Sequence, residues 1–142
     1  MSGFTQSGNF IYPRYKGALL IGGSNLSLAS GTARAALLSA GYVVNSLTDQ
    51  WLGDVPGTAI VATSDPLSGK ALSTIGDFSS TPPMLSGVTG SDVYSLIIYI
   101  DTGVPGTSRL VYYQDSGANG MPFTPSGGNV EIAEVGGLWF TL

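Results

Sequence analysis

Enzyme sites are built from side chains that move protons, hold metals or attack electrophiles, and this chain is poor in them. It contains no histidine and no cysteine. Without histidine, a Ser-His-Asp triad has no base, and most general acid–base sites lose their usual proton carrier. Zinc sites lose their two commonest ligands, and disulfides and thiolate chemistry are excluded. Carboxylate chemistry remains. Glu131 and Glu134 form an E-x-x-E pair, but an offset of three along a strand puts them on opposite faces. The expectation is two solvated charges. Asp49, Asp54, Asp65, Asp77, Asp92, Asp101 and Asp115 mostly adjoin Gly, Pro, Ser or Thr. In that setting a carboxylate accepts a bond from nearby backbone N–H in a turn. No D-x-D-x-D-G loop for calcium is present.

The stretch from Ser64 to Ala71, SDPLSGKA, has the outline of a phosphate loop. It lacks the first glycine, and Ala71 stands where Ser or Thr would bind magnesium. Pro66 also withdraws a backbone donor. Asn25-Leu26-Ser27 is a glycosylation sequon by pattern only, with no meaning outside secretion. Trp51, Trp139 and the tyrosines at 12, 15, 42, 94, 99, 112 and 113 could form a stacking platform for sugars or bases; the packing reading is that aromatics favour strands and cores. The chain is therefore read as having no catalytic residue, no cofactor site and no metal site.

The elements around these residues follow from composition. Hydrophobic residues make up 43% of the 142 and charged residues 10%, against a usual charged share of roughly a quarter. Disordered chains show the opposite balance, so this one should fold, and a surface so poor in charge tends to bury itself against a partner. The net charge is −4, carried against five basic residues, of which Arg14 and Lys16 are the only close pair. Nucleic-acid binding needs a basic stripe that displaces counterions, so no direct nucleic-acid partner is expected. The longest uncharged apolar stretch, from Gly17 to Ala33, is broken by Gly22, Gly23, Ser24, Asn25, Ser27 and Ser30. A spanning helix needs about 20 mainly apolar residues, so no membrane segment is expected. The N-terminus lacks the basic region and apolar run of a signal peptide, which points to synthesis and assembly in the cytoplasm.

The 21 glycines and 8 prolines punctuate short runs rich in Val, Ile, Leu and Tyr, the pattern of short strands joined by turns. Strands are expected at Thr58–Thr63, Lys70–Ile75, Met84–Val88, Ser108–Gln114, Asn129–Val135 and Leu138–Leu142. Val93–Ile100, VYSLIIYI, is apolar on both faces from Leu96 onward and should be a central strand covered on both sides. Thr32–Val44 is read as strand, although its alanines favour helix. Tyr15–Ile21 fits one helical turn or a short strand. Asn45–Gly53 is read as a short helix with Thr48 as cap and Gly53 as stop. The fold class is mainly β: an antiparallel sandwich or barrel-like domain with one short helix and an extended N-terminal arm. Residues 1–14 are the arm, and 15–142 a single β-rich domain. In the arm, Phe4, Phe10, Ile11 and Tyr12, with Arg14 beside them, are the candidate contacts to a neighbouring subunit.

Several segments in order resemble a family of small structural proteins of tailed bacteriophages. Ala59 to Lys70, AIVATSDPLSGK, resembles the family's "ARVATS…LTGK". Phe78 with Leu85 to Gly90, LSGVTG, resembles "F…FSAVTG". Ser95 to Gly103, SLIIYIDTG, resembles "ALVIYKDTG", Thr107 to Leu110 resembles the start of "TSRLIAYID", and Pro122 to Gly128, PFTPSGG, resembles "LPVTPNGGD". The resemblance spans residues 15–142 at similar spacing. Ile60 and Ile100 stand where the family has Arg and Lys, Gln114 where Asp is usual, and Pro82-Pro83 interrupts a continuous strand. The resemblance implies a virion protein, most specifically a capsid cement (decoration) protein. Its partners would be the major capsid protein and further copies of itself as a trimer or dimer, on the outer surface of the capsid. A tail, baseplate or fibre module that binds host glycans is the alternative.

Overall fold

In the computed structural model, residues 9–115, 120–134 and 137–142 are described. The first of these enter the fold at once. Strand β1 (Phe10–Ile11) is followed by helix α1 (Pro13–Ile21). Pro13 suits the first helical turn because its missing N–H would have had no partner there. The Tyr12 carbonyl accepts from the N–H of Tyr15 at 2.9 Å and of Lys16 at 3.3 Å. At the other end Gly22 turns left-handed (φ 69°), and Gly23 N–H returns to the Ala18 carbonyl at 2.9 Å. That is the ordinary glycine stop of a helix.

Strand β2 (Thr32–Leu38) follows, then β3 (Ile60–Thr63), β4 (Ala71–Leu72), β5 (Asp77–Ser79), β6 (Met84–Leu85), β7 (Ser95–Asp101), β8 (Arg109–Gln114), β9 (Val130–Glu131) and β10 (Phe140–Thr141). Short 3-10 turns occupy Leu52–Asp54, Gly57–Ala59 and Pro105–Thr107. The main sheet has five strands in the order β1-β8-β7-β2-β3; a second sheet runs β10-β5-β4, and β6 pairs with β9. All these pairings are antiparallel. The main sheet ends at β1 on one side and β3 on the other, so the molecule is mainly β and sandwich-like, with no closed barrel.

As expected, β7 is the centre. It pairs with β2 from Thr32↔Asp101 to Leu38↔Ser95, and with β8 on its other side. Leu96, Ile97 and Ile98 are fully buried. Two layers cover the sheet, and consecutive tyrosines of β8 show how, since neighbours on a strand point to opposite faces. The Tyr112 ring meets Phe140 of the second sheet at 5.4 Å, and Phe140 meets Phe78 at 5.5 Å. The Tyr113 ring gathers Phe10 at 5.0 Å, Tyr42 at 6.3 Å and Tyr12 at 6.5 Å.

Two expectations are corrected. Asn45–Gly53 is not a helix. The Asn45 carbonyl accepts from the Thr48 and Asp49 N–H groups (3.2 and 2.8 Å), a single turn that the Asp49 carboxylate closes by accepting from the Asn45 N–H (2.9 Å), and the backbone of Gln50–Leu52 is then drawn onto β8. Leu110 N–H bonds the Gln50 carbonyl (3.0 Å) and Leu52 N–H bonds the Ser108 carbonyl (2.7 Å). The helix lies instead at Pro13–Ile21. Residues 10–14, assigned to the arm, are part of the folded body, because β8 leaves an edge at Tyr112–Tyr113 that β1 fills. Residues 1–8 lie outside the described residues.

Candidate interaction surfaces

The proposed contact residues separate into inward and outward groups. Phe4 lies outside the described residues. Phe10 is half-buried and stacks on Tyr113. Ile11 is buried and Tyr12 is fully buried. Neither Ile11 nor Tyr12 is free to anchor a partner, and that reading is corrected. Composition around Phe10–Tyr12 does not reveal that these side chains have an internal destination. Among the described ones, Arg14 is the exposed residue, its Nε donating to the Leu47 carbonyl at 3.0 Å.

Behind β1 a buried hydroxyl chain closes one face of the core. Tyr42 donates to Asp49 Oδ2 at 2.7 Å. The Tyr12 and Tyr42 oxygens are 2.8 Å apart. Because the single Tyr42 proton is engaged by the carboxylate, Tyr12 is the donor between them. Burial raises the pKa of both phenols well above the ordinary tyrosine value, and for Tyr42 the adjoining Tyr12 and Asp49 raise it further. Burial pushes Tyr112 and Tyr113 up to about 12. These aromatics are packing groups, as is Trp139, whose indole donates to Ser80 Oγ at 2.8 Å.

The phosphate-loop outline resolves differently. Lys70 Nζ donates to the carbonyls of Leu28 and Gly31, each at 2.7 Å. The ammonium therefore staples the turn before β2, its protons engaged by backbone carbonyls. Gly31 is sterically required there, since a Cβ would stand 2.5 Å from the Ser27 carbonyl oxygen. Of the E-x-x-E pair, Glu131 is exposed, but Glu134 is not simply solvated: its Oε2 accepts from the Ser80 N–H at 2.8 Å. Among the described residues no three carboxylates gather as a metal site.

The surface carries a different feature, which sequence reading missed. Helix α1 buries Tyr15 and Ala18 yet exposes Leu20 (88%) and Ile21 (85%). Lys16, Leu19, Leu20 and Leu142 line a recess of about 290 Å³. Leu142 is tied to the turn after β4, its N–H bonding the Gly76 carbonyl at 2.8 Å, and Ile75 in that turn is also exposed. The chain matches no protein-family model and no curated protein. Contiguous exposed apolar residues of this kind mark interaction sites more often than isolated ones do.

Sequence reading also missed Arg109. Its guanidinium carbon lies 4.3 Å over the Trp51 ring, and the residue is buried. The signal was available, for Arg109 sits in a strand whose neighbours Leu110 and Val111 are core residues.

Proposed function

We propose that this protein is a non-enzymatic structural component of a tailed-bacteriophage virion, a capsid cement (decoration) protein that bridges and stabilises major capsid protein subunits. The ordered likeness of residues 15–142 to the phage family supports the virion assignment. The observation that carries the docking role is the exposed apolar face of Leu19, Leu20 and Leu142, with Ile21 next to Leu20 in α1, on a body whose own core is already filled. A protein with 10% charged residues and such a face gains more from being covered than from staying free. The packed sheet supplies a stiff body, and a contact of modest strength repeated over a shell gains through multivalency. Homo-oligomers, trimers or dimers, would place several such faces across one capsomer joint.

Quantitative mass spectrometry of purified particles tests the reading through copy number relative to the major capsid protein. A ratio near one, or a simple fraction of it, is expected. A ratio of a few per cent would move the protein to the tail or baseplate, and absence from particles would overturn the virion assignment.

A further inference from the structure

Arg109 is the only one of the five basic residues that is buried, at 4% exposure. Its Nε donates to the Ser24 carbonyl at 2.9 Å, and its flat face rests on Trp51. All nine carboxylate side chains of the sequence fall within the described residues, and none pairs with it: the one ion pair among them is Arg34–Asp101 at 2.7 Å. The two acids that flank Trp51 in sequence are engaged elsewhere: Asp49 accepts from the Tyr42 hydroxyl and the Asn45 N–H, and Asp54 from the Gln50 and Trp51 N–H groups. No counter-ion offsets the partial desolvation of this guanidinium, whose only stabilising contacts among the described residues are the Ser24 carbonyl and the Trp51 ring. Burial accordingly lowers its pKa.

The two terminal nitrogens of Arg109 have no protein acceptor among the described residues, and neither is sealed from solvent. They open on a recess of about 300 Å³ between α1 and Gln50, walled by Gly17 and Ala18 and rimmed by Arg14 and Ile21. Arg14 also lacks a carboxylate partner. At Gly17 nothing stands within 4 Å of where a Cβ would be, so the mouth is open.

We infer that this recess receives a carboxylate, the side chain of an Asp or Glu on a partner protein, held by the Arg109 fork with Arg14 at the rim. A planar fork matches a carboxylate through two parallel bonds. A phosphate backbone is a poor fit, since it needs a series of cations and here meets a net charge of −4. The recess also lies near the apolar face, because Ile21, which lines it, directly follows Leu20 in α1. A desolvated charge site beside apolar anchors is the usual anatomy of a protein interface. The inference does not depend on the virion reading.

The test is NMR titration of the purified protein, following the Arg109 Nε–H and Trp51 indole N–H signals. Sodium acetate should shift both saturably, with a midpoint of roughly 10–100 mM, while sodium chloride at equal ionic strength should not. Arg14→Gln should weaken the response several-fold. Gly17→Glu should place a carboxylate of the chain's own over the fork and abolish it. The capped dipeptide N-acetyl-leucyl-glutamate amide should saturate at several-fold lower concentration than acetate, since Ile21 adjoins the site. Shifts that do not saturate, or that chloride reproduces, would overturn the site. Tighter binding of inorganic phosphate than of acetate would overturn the carboxylate assignment. Equal affinity for acetate and the dipeptide would overturn the protein partner in favour of a free acid.

Discussion

Tyr42 gives its phenolic proton to Asp49 across 2.7 Å, and so turns its oxygen toward Tyr12 as an acceptor. This chain belongs to a wider set of buried phenols, and it makes stability sensitive to alkali. Burial raises the pKa of Tyr12, Tyr15, Tyr42 and Tyr99, and takes Tyr112 and Tyr113 to about 12. The native state therefore keeps these protons after the unfolded state has begun to lose them near pH 10. Above that pH the unfolded chain binds fewer protons than the native one, so stability falls as pH rises. Each such tyrosine contributes a slope of about 1.4 kcal/mol per pH unit between its two pKa values. Stability from this source is intact below pH 10. The expected outcome is one cooperative transition between about pH 10 and 12, with tyrosinate absorbance and loss of β-sheet circular dichroism rising together. Gradual ionisation while the sheet signal persists would contradict it.

Lys70 bridges the carbonyls of Leu28 and Gly31, which fixes the turn that delivers β2 to the sheet centre. Hydrogen bonds from a charged donor are worth about 1.5–3 kcal/mol. Lys70→Met keeps the aliphatic stem and removes the donor, so it should lower unfolding free energy by about 2 kcal/mol in a urea melt. Gly31→Ala should destabilise by a similar amount through its clash with the Ser27 carbonyl. Unchanged stability in Lys70→Met would remove the stapling role from the ammonium.

The parts of the fold that were legible are those with long, one-sided signals. The run Leu96–Ile100 declared a strand covered on both faces, and its partner Arg109–Gln114 followed after a turn. Helix α1 was not legible because its outward residues, Leu20 and Ile21, are as apolar as its inward ones, so no polar stripe marks it. Strands β4, β6, β9 and β10 have two residues each, too few to show alternation. At the candidate site, the tyrosines looked the same in sequence whether they stacked on a ligand or on each other. Only the three-dimensional partners of Tyr12 and Tyr42 separate the two, and although its apolar strand neighbours marked Arg109 as a residue to be buried, sequence does not reveal that it lacks a counter-ion.

If the α1 face docks on a partner, charging it should abolish docking and spare the fold. Leu20→Lys with Ile21→Lys places cations at the helix C-terminus, where the dipole tolerates them. Both side chains are exposed, so stability should change by less than about 0.5 kcal/mol each. Burial of one such side chain contributes about 1.5–3 kcal/mol. The double variant should therefore lose at least about tenfold in occupancy on particles, read by quantitative mass spectrometry after add-back of purified protein. Wild-type occupancy would leave the face without a docking role.

The N-terminal segment gives the sharpest separation between partner contact and self-packing. Truncation after Tyr12 removes β1, exposes the Tyr113 ring and leaves the Val111 carbonyl without the Tyr12 N–H that now meets it at 2.9 Å. Deletion of a fully buried aromatic side chain alone costs about 3–5 kcal/mol, a large share of the roughly 5–15 kcal/mol that holds a domain together. The truncated protein, and Tyr12→Ala in the full chain, should both unfold at markedly lower urea concentration than the parent in the absence of any partner. An arm that served only a neighbour would leave those melts unchanged and alter assembly alone, so equal midpoints for parent and truncation would return Phe10–Tyr12 to the interface.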